Sequence, residues 1–150
     1  RQLPPRMRIV YTGPAASTAL PGERAPRSLT TAWPLAAWRA GDAGAAQPLA
    51  TLRGRPLCAV AGLAAPEKFF AMLEAAGLAI ERLPLPDHHD YAALPWPADT
   101  AEVVTTEKDA VKIDPARIGA TQVWVLPLDL ALPPALVGEL VSWLPAPTPP

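Results

Sequence analysis

Residues 56–83 read PLCAVAGLAAPEKFFAMLEAAGLAIERL, a run in which apolar strand, helix and strand patterns follow one another. Its opening, LCAVAGLA (57–64), is an unbroken apolar run of strand length, as expected of a strand covered on both faces. Pro66 then suits the first turn of a helix, where the missing N–H costs nothing. The spacing predicts a helix over 66–76 with Phe69, Phe70, Leu73 and Ala76 along one apolar stripe. Gly77 falls at the left-handed position just past its end. Residues 78–83 (LAIERL) alternate as a second strand, so the stretch is a β-α-β unit.

The same grammar continues downstream. Residues 102–105 (EVVT) read as a strand and TEKDAVKI (106–113) as a helical turn. Residues 122–126 (QVWVL) read as a strand, followed by a helix over 134–144 whose expected buried face is Leu136, Val137, Leu140, Val141 and Leu144. A short helix is expected over 91–94 before Pro95 and Pro97. Alternating strands and helices on short loops predict an α/β fold with a mainly parallel sheet and flanking helices, because parallel strands need crossover connections of one hand.

Upstream the texture differs. Residues 1–55 hold eight arginines and two acidic residues, against five basic and twelve acidic residues in 56–150. They are expected to be a basic, irregular connecting segment with one short strand, MRIVY (7–11), stopped by Gly13-Pro14, and a short helix near 34–40 carrying Leu35 and Trp38 on one side. Residues 56–144 are the α/β domain and 145–150 a frayed tail. A chain that opens with a strand and a long connection is expected to start inside a larger fold. The basic third invites either a solvated surface or a salt-sensitive attraction to phosphates or an anionic membrane. The apolar tract 124–144 contains Asp129, Glu139 and Pro133-Pro134, which breaks it into strand, turn and helix instead of a membrane span. The single cysteine, Cys58, sits in the apolar strand as a small hydrophobe.

Both histidines fall in PLPDHHDY (84–91), just after a strand. Loops at the carboxyl ends of parallel strands are where ligands bind in open α/β sheets. GLAAPEK, PDHHD and TTEKD are therefore expected on one edge. Asp87 and Asp90 flank His88 and His89, an arrangement open to general-base support or to metal ligation. The plainer alternative is one histidine capping backbone and the other solvated. For Thr106 and Asp109 the plain reading is a capping box. Glu107 and Lys108 are left to face a ligand, and the helix start could favour an anion such as phosphate.

Taken together, GLAAPEKFFAMLEAAG (62–77), PLPDHHDY (84–91) and VVTTEKDAVK (103–112), in this order, closely resemble the C-terminal half of the tetraacyldisaccharide 4'-kinases, the lipid A 4'-kinases of Gram-negative bacteria. The resemblance implies the C-terminal portion of a P-loop NTPase-like kinase, using ATP and Mg²⁺ bound mainly by the N-terminal half. Its substrate would be a lipid-linked disaccharide monophosphate met at the cytoplasmic face of the inner membrane by peripheral contact. It further implies that Asp87-His88 serves catalysis, with His88 paired to an aspartate of the N-terminal half, while His89 is replaceable. Gly62, Thr106, Glu107, Lys108 and Asp109 would lie near substrate or nucleotide. None of the nine glycines is followed by lysine, so no G-x-x-x-x-G-K-[ST] can be written, and the chain is expected to be inactive alone. Two other readings stand beside this one: a metal-dependent phosphoesterase of the DHH type, spelled by Asp87-His88-His89, and a non-catalytic domain binding acyl sugar or nucleotide. Nothing suggests nucleic acid as a partner.

Overall fold

The structure, a computed structural model, describes residues 4–13 and 15–145. In chain order its elements are β1 (Val10–Tyr11), β2 (Glu23–Arg24), β3 (Arg27–Ser28), β4 (Thr31–Pro34), α1 (Leu35–Ala40), β5 (Gln47–Pro48), β6 (Leu57–Ala61) and α2 (Pro66–Ala75). They continue with β7 (Ile80–Pro84), β8 (Glu102–Thr106), α3 (Glu107–Ala110), β9 (Gln122–Leu126), β10 (Asp129–Leu130) and α4 (Pro134–Ser142). Two compact units result: Leu29–Leu128, and the described residues up to Ser28 together with those from Asp129 onward.

The larger unit is built on a six-stranded sheet in the order β5-β4-β9-β8-β6-β7. Strands β7, β6, β8 and β9 run parallel, and β4 and β5 extend the sheet antiparallel at one edge. The sheet is thus mixed around a parallel block. The inner strands β6, β8 and β9 are buried at consecutive positions because both faces are covered, whereas the edge strand β7 exposes Glu81 and Arg82. Leu57, Ala59 and Ala61 of β6 turn one way with Val104, Trp124 and Leu126, against Phe69, Phe70 and Leu73 of α2. Cys58 and Val60 turn the other way with Val103, Val123 and Val125, against Leu35, Tyr91, Trp96, Ala110 and Ile113.

Helix α2 starts at Pro66 as its sequence predicts and ends in a left-handed Gly77 with φ of 83°. The Gly77 N–H donates to the Glu74 carbonyl and the Leu78 N–H to that of Leu73. These paired bonds satisfy carbonyls that a helix end leaves open. The short helix expected near 34–40 forms as α1, with Leu35 buried.

Four expectations need correction. No helix covers 91–94: the Asp90 carboxylate takes the Ala92 N–H at 2.9 Å, Tyr91 is left-handed at φ of 57°, and prolines follow. The last helix, expected over 134–144, ends at Ser142, and of its expected buried face only Leu136 is buried, while Val137, Val141 and Leu144 are 41%, 58% and 68% exposed. Apolar spacing identifies a face but not what covers it. Strand β1 is two residues, shorter than the MRIVY run. Finally, residues 29–55 belong to the sheet's own unit: β4 and β5 pair there, and Leu49 and Leu52 enter the α2-side core. Pro14 and residues 146–150 of the expected tail lie outside the described residues.

The arginines of the first third are largely engaged. Arg39 donates to the carbonyls of Ala110, Val111 and Ile113, Arg53 to Ala76 at 2.9 Å and Arg55 to Glu102 at 3.2 Å. In the smaller unit Arg8 makes a bidentate pair with Glu139 and lies over the Trp143 ring. Composition suggested a solvated basic patch; in the structure Arg8, Arg39, Arg53 and Arg55 act instead as clips on backbone and side chains.

Candidate functional site

Parallel strands in register end together. Ala61 of β6 faces Pro84 of β7, Val60 faces Thr105 of β8, and Thr106 faces Leu126 of β9. The loops carrying Gly62, His88 and Glu107 therefore leave one edge of the sheet, where the sequence puts them.

Asp109 joins two of these loops. Its carboxylate is wholly buried, and Oδ2 accepts from the Gly62 N–H at 3.0 Å and from the Thr106 hydroxyl at 2.9 Å. Thr106 accepts the Asp109 N–H in turn at 3.2 Å, which is half of the expected capping box. In the full motif the acidic side chain would reach back to the cap's own N–H; here it reaches across to the neighbouring loop instead. Gly62 is required for that approach, because a Cβ there would stand 2.9 Å from Asp109 Oδ1. Oδ1 has no hydrogen-bond partner among the described residues, and Lys112 Nζ stands 4.0 Å from it.

The histidine loop is held from several sides. The Leu85 N–H donates to the Ala61 carbonyl at 2.9 Å, extending the β7 pairing by one bond. Lys108 Nζ bonds Asp87 Oδ1 at 3.1 Å, and the His88 N–H donates to the same oxygen at 3.0 Å. The Lys108 bond, followed by the neighbouring positive charge, holds the Asp87 carboxyl below its ordinary range. His88 is left-handed at φ of 61°, with its side chain 77% exposed and Nε2 3.6 Å from Asp87 Oδ2.

His89 differs. Its Nδ1 accepts the Tyr91 N–H at 3.1 Å, which leaves the neutral ring's proton on Nε2. The ring meets Tyr91 edge-on at 4.8 Å. Tyr91 itself is buried against the core, and burial, then the Asp109 charge, push its phenol above the ordinary value.

Lys108 and Glu107 are both exposed, but each is engaged: Lys108 with Asp87, and Glu107 as acceptor for Trp38 Nε1 at 3.2 Å. The anion expected at the start of this helix loses its footing, since α3 is a single turn of four residues. Lys112 and Tyr91 were not singled out by sequence reasoning, although they lie inside the quoted motifs VVTTEKDAVK and PLPDHHDY. A concavity of about 800 Å³ lies elsewhere. It is lined by Pro56, Cys58, Glu81, Asp99 and Glu102 at the N-terminal ends of the strands, the edge away from the histidines. The C-terminal edge is the stronger site, because donors and chemically competent side chains gather there.

The fold and the site define an α/β domain that presents a tethered Asp-His loop at the carboxyl edge of a parallel block. The family model of tetraacyldisaccharide-1-P 4'-kinase matches residues 9–144, and the chain belongs to that family. It is 48% identical over 136 residues to a tetraacyldisaccharide 4'-kinase of Methylibium petroleiphilum, covering 88% of this chain and 38% of that protein. Over 145 residues it is 45% identical to the tetraacyldisaccharide 4'-kinase of Leptothrix cholodnii, covering 94% and 42%. That of Chromobacterium violaceum is 38% identical over 140 residues, covering 91% and 40%. The chain thus spans about two fifths of the length of these curated relatives. No solved structure matches it.

Proposed function

We propose that this chain supplies the acceptor-side, C-terminal part of an ATP-dependent kinase of P-loop type. The kinase phosphorylates the 4'-hydroxyl of a tetraacyldisaccharide 1-phosphate in lipid A biosynthesis. The observation that carries the reading is His88, an exposed imidazole beside the Asp87 carboxylate, mounted where the Gly62 and Thr106 loops meet. In the transfer, the acceptor oxygen bonds the γ-phosphorus, the bond from that phosphorus to the β,γ-bridging oxygen breaks, and ADP departs. The hydroxyl proton passes to the base that His88 assists, and the Asp87 carboxylate stands 3.6 Å from the His88 ring nitrogen.

The residues present do not make a cradle for ATP and Mg²⁺. No Walker-type glycine-lysine motif occurs in the sequence, and no metal-binding group of three His, Cys, Asp or Glu gathers among the described residues. That apparatus is accordingly assigned to sequence outside these 150 residues. Without it most of the electrostatic stabilisation of phosphoryl transfer is lost. The same observations disfavour the DHH-type phosphoesterase, since His89 is turned onto the Tyr91 N–H instead of a shared metal position. Contact with the lipid substrate is assigned to the cytoplasmic face of the inner membrane. Among the described residues no helix is long and apolar enough to cross a membrane, and a peripheral approach accords with this.

The test is transfer of labelled γ-phosphate from ATP to tetraacyldisaccharide 1-phosphate. The full-length protein should label the lipid and the 150-residue chain alone should not. Labelling by the chain alone would overturn the division of labour, and no labelling by the full-length protein would overturn the activity.

A further inference from the structure

His88 is flanked by two tethers that leave one short segment. Lys108 Nζ holds Asp87 at 3.1 Å, and Lys112 Nζ donates to the His89 carbonyl at 2.8 Å. Lys108 lies in α3 and Lys112 in the turn just after it, so this one segment grips the residue before His88 and the residue after it. The loop needs such a grip. His88 and Tyr91 both hold left-handed φ values, 61° and 57°, which side chains bearing a Cβ adopt only when their surroundings impose it.

From this geometry we infer that Lys112 is a positioning residue for His88. It holds the carbonyl of His89, in the peptide that follows His89, and so limits where the adjoining His88 backbone and its ring can go. Its own place is set by Asp109, whose buried Oδ1 lies 4.0 Å from the ammonium and whose Oδ2 holds Gly62 at 3.0 Å. Asp109 and Lys112 together fix the spacing between the Gly62 loop and the histidine loop. Removing the ammonium releases the His89 carbonyl, lets φ of His88 relax toward negative values and swings the imidazole away from the acceptor. The catalytic consequence rests on the kinase reading above, whereas the effect on loop geometry does not.

The test compares Lys112→Met and Lys112→Arg. In the full-length kinase, Lys112→Met should lower kcat by about 10- to 100-fold, the scale of a misplacement near 1 Å, with KM within about twofold. Lys112→Arg, which can still donate to the carbonyl, should recover most of the loss. In the 150-residue chain, Lys112→Met should shift the backbone amide resonances of residues 87–90 while distant β9 resonances stay in place. Should Lys112→Met fail to fold, Lys112→Ala, which also lacks a donor, reads the same split. A kcat equal to the parent's, a loss confined to KM, or an Arg variant no better than Met would overturn the inference, as would unmoved loop resonances. His88→Ala separates the two readings: if it leaves kcat unchanged, the role of His88 fails, and the loop resonances alone then decide whether Lys112 sets the loop.

Discussion

Replacing Gly62 with alanine tests the junction of the loops directly. The added carbon would stand 2.9 Å from Asp109 Oδ1, 3.3 Å from His89 Cβ and 3.3 Å from the Pro86 carbonyl oxygen. Asp109 cannot swing aside, because it is wholly buried and its other oxygen is held by the Gly62 N–H and the Thr106 hydroxyl. Overpacking of this kind costs about 1–3 kcal/mol. Any stretch of the bond from Gly62 to the carboxylate removes part of the roughly 1.5–3 kcal/mol that a hydrogen bond to a charged group contributes. The stiffer unfolded chain returns about 0.4–1 kcal/mol. The net expectation is a loss of about 1–3 kcal/mol, or roughly 3–10 °C in Tm for a chain of this size. Gly138→Ala is the control, since Gly138 lies within α4 with nothing inside 4 Å of its missing Cβ. It should raise stability by about 0.5–1 kcal/mol. Thermal melts of the three chains read the contrast. A Gly62→Ala chain melting at or above the parent would refute the close approach of Gly62 to Asp109.

Asp87 should titrate below its ordinary 3.8. Because its folded value is depressed, the stability it contributes is present above 3.8 and lost as pH falls through the lower folded value. Carboxyl NMR should show that midpoint, and Lys108→Ala should return it toward 3.8. Thr105 donates its hydroxyl to the Val60 carbonyl at 2.9 Å while fully buried. Thr105→Val should therefore cost about 1 kcal/mol, read from the urea midpoint. The Cys58 thiol is buried, and burial followed by the Glu81 charge raises its pKa above the ordinary 9.0. A disulfide reagent at neutral pH should modify it much more slowly in the folded chain than in the unfolded one, and equal rates would contradict its burial.

The parallel block was legible because covering a strand on both faces leaves an unbroken apolar run, visible in LCAVA and QVWVL. Pro66 and Gly77 marked the ends of α2 by their backbone requirements alone. Strands β1 to β5 were largely hidden, since pieces of two to four residues carry no period. The exposed Val137, Val141 and Leu144 show the converse, a clear stripe on α4 whose burial the spacing could not establish. At the edge of the sheet, loop order sufficed to bring Gly62, His88 and Glu107 together. The tethers did not follow from it. That Asp109 grips Gly62, or that Lys112 reaches the His89 carbonyl, depends on contacts between residues 47 and 23 positions apart, which local patterns do not encode.

If His88 assists the chemistry while His89 shapes the loop, kcat of the full-length protein carrying each substitution separates the two roles. His88→Ala should lower kcat by about 10²- to 10⁴-fold, the usual range of general-base assistance, with KM less affected. His89→Gln should cost much less in kcat. Equal losses from the two substitutions at an unchanged melting temperature would contradict the assignment of His88.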